Sequence, residues 1–173
     1  MVILGLGSNI GDRFAYLCAA VAKIVPLLDG MVCSRVFESK ALPCQGEHPA
    51  VDRPFYNMAI RGETLLSPLV LLEAIKGVER DLGRVHRFVW GPREIDIDIL
   101  AMDGVIFEET VLHIPHPELI KRDFALIPLN DVAPEWEYPV AGAFFGKIPA
   151  DIITAMGYVV SDDLCDMELI FHV

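Results

Sequence analysis

The sequence predicts an α+β fold with a ferredoxin-like βαββαβ core: an antiparallel sheet with helices packed on it, followed by a C-terminal extension. Three observations predict it. Apolar residues alternate between strand and helix periodicity in the order strand, helix, strand, strand, helix, strand. Turn residues punctuate each switch. The length of 173 residues suits one domain, with 1–140 as its core and 141–173 as an extension packed on it.

Val2 to Leu6 is a short apolar run ending at Gly7-Ser8-Asn9, and Asp12 caps a helix whose apolar positions are Leu17, Ala20, Val21, Ile24 and Leu28. Asp29-Gly30 marks a turn, and Met31 to Ser39 reads as the second strand, with Val32 and Val36 β-branched. Ala41 to Pro54 holds three prolines and no period, so it is a long loop and the lid candidate. Phe55 to Arg61 is the third strand. Ser67-Pro68 opens a helix with Leu69, Leu72, Ile75, Val78, Glu79 and Leu82 on its buried face, and Gly83 ends it. Arg84 to Pro92 forms a second, basic and aromatic loop before the strand Glu94 to Met102 and a tight turn at Asp103-Gly104. After Pro115-His116-Pro117 the expected elements are helices over Phe124 to Asn130 and Ala150 to Met156 and a last strand at Met167 to His172.

Composition narrows the function. Hydrophobic residues make up 53% and charged residues 23%, but the apolar runs are short and interrupted, so no segment is expected to span a membrane. The opening residues lack a basic signal-peptide region, which points to the cytoplasm. Cys18, Cys33, Cys44 and Cys165 have no metal-binding spacing and read as buried or incidental thiols. A net charge of −11 argues against nucleic acid, whose binding needs many Lys and Arg contacts to phosphate. Positive charge is instead concentrated at Arg80, Arg84, Arg87 and Arg93, where a small phosphorylated substrate would be met.

The chemistry centres on Trp90 to Leu100. The two-residue period of a strand puts Asp96 and Asp98 on one face and Ile95, Ile97 and Ile99 on the other. Adjacent carboxylates repel unless cations bind between them, and hard oxygen ligands suit Mg²⁺ held together with substrate phosphates. Trp90 offers a stacking surface, and Arg93 supplies a permanent cation beside the carboxylates. Taken alone, Phe55 and Phe124 read as core residues and Asn57 as a satisfied buried amide. Gly5 to Asn9 lacks the spacing and lysine of a phosphate loop and reads as a tight structural turn.

The run Trp90-Gly91-Pro92-Arg93 followed by Asp96, Asp98 and Ile99 resembles the signature of the hydroxymethyl-dihydropterin pyrophosphokinases. Further similar pieces occur in order: Leu6 to Asn9, Phe55-Tyr56-Asn57, Gly83-Arg84, Ile114 to Pro117, Arg122, Phe124 and Pro128-Leu129. The resemblance spans about residues 1 to 140. It implies transfer of the pyrophosphoryl group of ATP to 6-hydroxymethyl-7,8-dihydropterin in folate biosynthesis, with AMP leaving. It further implies two Mg²⁺ ions on Asp96 and Asp98, with Arg84 and Arg93 as the other catalytic residues. ATP would be met by Lys76, Glu79, Arg84, His86, Trp90, Arg93, Ile99, His116 and Arg122, and the pterin by Ser39, Leu42, Phe55, Asn57, Trp90 and Phe124. Partners would be other folate-pathway enzymes, fused to this chain or beside it.

The chain departs from the resemblance where His86, Val89 and Val111 stand in place of arginines and Lys76 in place of a neutral amide. Each lost charge-assisted phosphate bond costs on the order of 1.5 to 3 kcal/mol, so weaker ATP binding or slower turnover is expected. These departures keep open a pterin- or nucleotide-binding module that has lost catalysis, and the Asp96-x-Asp98 pair itself leaves a metal-dependent nucleotidyl transferase on the same plan as a third reading.

Overall fold

The computed structural model describes residues 1–40, 53–85 and 91–159. Strand β1 (Val2–Ser8) is central, and α1 (Arg13–Ile24) follows, its N-terminus capped by Asp12, whose carboxylate accepts from the Ala15 amide at 3.0 Å. The helix stops before Leu28 because Pro26 turns the chain into a 3₁₀ turn over Val25–Leu27; Leu28 is extended yet still buried. Asp29-Gly30, expected as a turn, instead begins β2 (Asp29–Cys33).

The second strand is not continuous to Ser39. Between β2 and β3 (Phe37–Ser39) the chain places three residues opposite two of β4 (Phe55–Glu63). The Ser34 hydroxyl takes over the ladder by accepting from the Ala59 amide at 2.8 Å. This bulge frees Arg35 to grip Asp131 through two bonds of 2.9 Å.

Helix α2 (Pro68–Asp81) begins at Pro68 as expected, but Leu71 rather than Leu69 leads its buried face with Ile75, Val78 and Glu79. Strand β5 (Asp96–Met102) starts two residues later than expected. A short hairpin, β6 (Phe107–Glu109) and β7 (Leu112–Ile114), carried too few residues to be read from the sequence. Helices α3 (Asp123–Val132) and α4 (Pro149–Met156) complete the described elements. The expected last strand, the Ala41 to Asp52 part of the lid candidate, residues 86–90 of the second loop, and Cys44 and Cys165 lie outside the described residues.

The antiparallel sheet runs β2 and β3, β4, β1, β5, which is the ferredoxin-like plan. Alternate residues of β1 divide its two faces. Val2, Leu4 and Leu6 join α1 and α2 in the larger core with Ile97 and Ile99, while Ile3 joins α3 in a second cluster with Ala59, Leu129, Val132 and Trp136. The register slips between Ile3 and Leu4, leaving Leu100 as an extra residue, so Leu100 and Ala101 both face the α3 side. The corrected α2 face is directly testable by chemical denaturation. Leu71→Ala should cost about 2 to 5 kcal/mol and Leu69→Ala, at 42% exposure, less than about 0.5; the reverse order would restore the original assignment.

Candidate active site

Among the described residues the α3 face of the sheet is uncovered at one end, where the C-terminal half of β1 meets the starts of β4 and β5. Gly5 and Gly7, expected in a turn, belong to β1 and form the floor there. A Cβ on Gly7 would stand 3.1 Å from Asn57 Oδ1 and 3.6 Å from the Phe55 ring, and one on Gly5 would stand 3.1 Å from Leu100. Both glycines therefore keep open a cavity of about 120 Å³.

Ser39, Phe55, Asn57 and Phe124 all line this cavity, as do Arg93, Asp96, Asp98, His116 and Arg122. Asn57 is buried and donates through Nδ2 to the Ser39 hydroxyl at 2.8 Å, which fixes the amide and orients its oxygen. Leu42, His86 and Trp90 lie outside the described residues.

Asp96 is the electrostatic centre. Its Oδ1 lies 2.6 Å from Arg84 Nη1, and its Oδ2 accepts from Arg93. Burial alone would raise its pKa, but Arg93, Arg84 and Lys76 outweigh burial and hold the carboxyl below its ordinary 3.8. The shift is downward, so the stabilisation it reports is present above that value and disappears as pH falls through the lower folded-state pKa. For Arg84 burial acts to lower the pKa, and Asp96 and Glu79 reverse it, so the guanidinium stays charged.

Glu79, expected to touch the nucleotide, is 3% exposed and already occupied. Its Oε1 accepts from the Ile97 amide at 2.7 Å and from Lys76 Nζ at 2.8 Å, and lies 2.5 Å from Arg84 Nη1. The structure thus makes it an organiser of the strand edge and of two cations. The Ile99 side chain is likewise buried in the larger core, which leaves only its backbone to reach a ligand. Val111 is exposed between β6 and β7.

His116 donates its backbone amide to the Leu100 carbonyl at 2.8 Å, and its Nδ1 accepts from the Glu118 amide at 3.1 Å. Burial lowers its pKa, partly opposed by Asp98, so the neutral ring carries its proton on Nε2. Two supporting residues escaped the sequence reading. Asn9 clamps Arg93 by accepting from its amide at 2.7 Å and donating its own amide to its carbonyl at 3.1 Å. Glu94 accepts from the Val85 amide at 3.3 Å and so joins the two ends of the second loop. A polar residue directly after a strand and a buried glutamate beside a motif were the available signals.

Comparison with known proteins places the chain in a family. A pyrophosphokinase of this type from Aquifex aeolicus is 42% identical over 139 residues, covering 80% of this chain and 84% of that protein. One from Methylorubrum extorquens is 40% identical, covering 76% and 82%. A folate synthesis bifunctional protein of Chlamydia caviae is 37% identical over 77% of this chain, which spans only 30% of that protein. The Plasmodium falciparum HPPK-DHPS crystal structure with pterin and p-hydroxybenzoate superposes with a TM-score of 0.61 at 16% identity, over 88% of this chain and 42% of that one, and so shares the fold. The profile of 7,8-dihydro-6-hydroxymethylpterin-pyrophosphokinase (HPPK) matches residues 3–134, nearly the whole sheet and its helices, and the chain belongs to that family.

Proposed function

We infer that this chain is an ATP-dependent pyrophosphokinase that transfers the pyrophosphoryl group of ATP to 6-hydroxymethyl-7,8-dihydropterin, releasing AMP, in folate biosynthesis. The observation that carries the reading is that one glycine-floored cavity is lined by both Phe55 and Phe124 and by Asp96 and Asp98. Several relatives are longer folate enzymes, so function beside or fused to such enzymes fits this chain too. Cys18 and Cys33 are free thiols, which suits a cytoplasmic location. Packing of α4 on α3 supports treating 1–140 as the core and the described residues 141–159 as an extension on it.

The donor set fits magnesium. Asp96 and Asp98 present hard oxygens, one of them held ionised, and no cluster of three such ligands occurs among the described residues. Mg²⁺ commonly takes one or two carboxylates and completes its shell with water and phosphate oxygens. Asp96 and Asp98 would hold two ions, which when bound neutralise the phosphates and polarise the phosphorus under attack.

The residues themselves do the positioning. Phe55 and Phe124 stack the pterin, while Asn57, fixed by Ser39, reads its edge. Arg84, Arg93 and Arg122 donate to the triphosphate, and His116 offers Nε2–H to the same charge. Attack of the hydroxymethyl oxygen on the β-phosphorus then needs alignment and charge neutralisation, with no covalent enzyme intermediate.

Three outcomes follow. Asp96→Ala and Asp98→Ala should each lower kcat by at least about 100-fold while circular dichroism stays native; near-normal turnover in both would remove the mechanism. Phe124→Ala should raise the KM for the pterin about 2- to 12-fold, the loss of one aromatic stack, and leave the KM for ATP unchanged; a change confined to ATP would reassign the slot. In a proton NMR titration the His116 ring should change charge below 6.5, remaining neutral at pH 7; a midpoint above 6.5 would contradict the buried, neutral donor.

A further inference from the structure

At the outer edge of β5 carboxylates and cations of the described residues are interleaved. Glu79, Asp96 and Asp98 face Lys76, Arg84 and Arg93. Arg84 spans Glu79 and Asp96, and Arg93 rests on Asp96. Among the described residues the ion pair of Asp98 is with Lys76, whose Nζ lies 3.7 Å from Oδ1, and Arg84 adds a longer-range Coulombic attraction. The Lys76 separation exceeds a hydrogen bond, so that contact too is Coulombic.

Lys76 is also held in place. Its Nζ donates to the Ile97 carbonyl at 2.8 Å and to Glu79 Oε1 at 2.8 Å, two acceptors that are themselves fixed by β5 and by burial. The ammonium cannot swing into solvent without leaving the Ile97 carbonyl bare and Glu79 short of a partner. Asp98, in contrast, has a side chain 42% exposed toward the cavity. A fixed positive charge therefore stands beside the more open of the two carboxylates.

We propose that Lys76 is a resident counter-charge that competes with the divalent cation for Asp98, setting the Mg²⁺ concentration at which the site loads. In the metal-free protein it relieves the repulsion between Asp96 and Asp98. During loading the same charge repels the incoming ion, because Lys76 stays on Glu79 and Ile97. The inference rests on the reading of Asp98 as a metal ligand.

The test is calorimetric binding of α,β-methylene-ATP across a Mg²⁺ titration, in wild type, Lys76→Gln, Lys76→Arg and Asp98→Asn. Lys76→Gln should lower the half-saturating Mg²⁺ by about 3- to 10-fold, the scale for a partly solvated charge pair. Lys76→Arg, which keeps the charge, should stay near wild type, and Asp98→Asn should raise the requirement. A merely structural lysine would not strengthen loading when removed. If Lys76→Gln leaves the requirement unchanged or raises it while Asp98→Asn still raises it, the Lys76 inference alone falls. If Asp98→Asn has no effect, the metal-ligand reading falls and takes this one with it. Thermal melts confirm folding, and Lys76→Met serves if the glutamine variant does not fold.

Discussion

The pleat of β5 is the constraint on which the site depends. One strand must seal the larger core and present the reactive carboxylates, and its period of two lets it do both: Ile97 and Ile99 face α1 and α2 while Asp96 and Asp98 face the cavity. Leu100 follows on the same face, and the register slip there adds Ala101 to it, so the carboxylates sit at the open end and Leu100 and Ala101 close the other. A one-residue shift earlier in the strand would bury both aspartates and expose two isoleucines.

A buried, ionised aspartate persists only where cations are near enough to offset desolvation. Arg84, Arg93 and Lys76 meet that need at Asp96, and Glu79 and Asn9 hold the first two in position from behind. The same guanidinium groups are the donors a triphosphate requires. Asp96 would hold a metal ion only if Arg84 and Arg93, which now neutralise it, turned toward the phosphates.

Much of this was legible in the sequence because it rests on short-range pattern. The alternation from Ile95 to Ile99, the Asp12 cap and the Pro68 start are local, and each appeared where expected. The break at Ser34 was not readable, since it depends on Arg35 finding Asp131 some hundred residues away. On α2 Ile75, Val78 and Glu79 are buried and Leu72 and Leu82 pack on the core as expected; only Leu69 was misplaced in favour of Leu71, because the leucines are chemically alike and packing alone selects among them. Glu79 lies on the buried face of α2 as expected, but its three bonds, to Arg84, Lys76 and β5, depend on partners that the helix pattern does not show. The glycine floor was taken for a turn because absent side chains look alike in either setting, and only neighbours at 3.1 Å reveal the difference.

The central claim is that these carboxylates and arginines direct attack to the β-phosphorus. It is tested most directly by identifying the products of ATP and 6-hydroxymethyl-7,8-dihydropterin with the purified protein by phosphorus NMR and mass. The account predicts AMP and a pterin diphosphate in equal amounts, with AMP formation dependent on the pterin; release of pyrophosphate with a nucleotidylated pterin, or binding of both substrates without AMP, would contradict it.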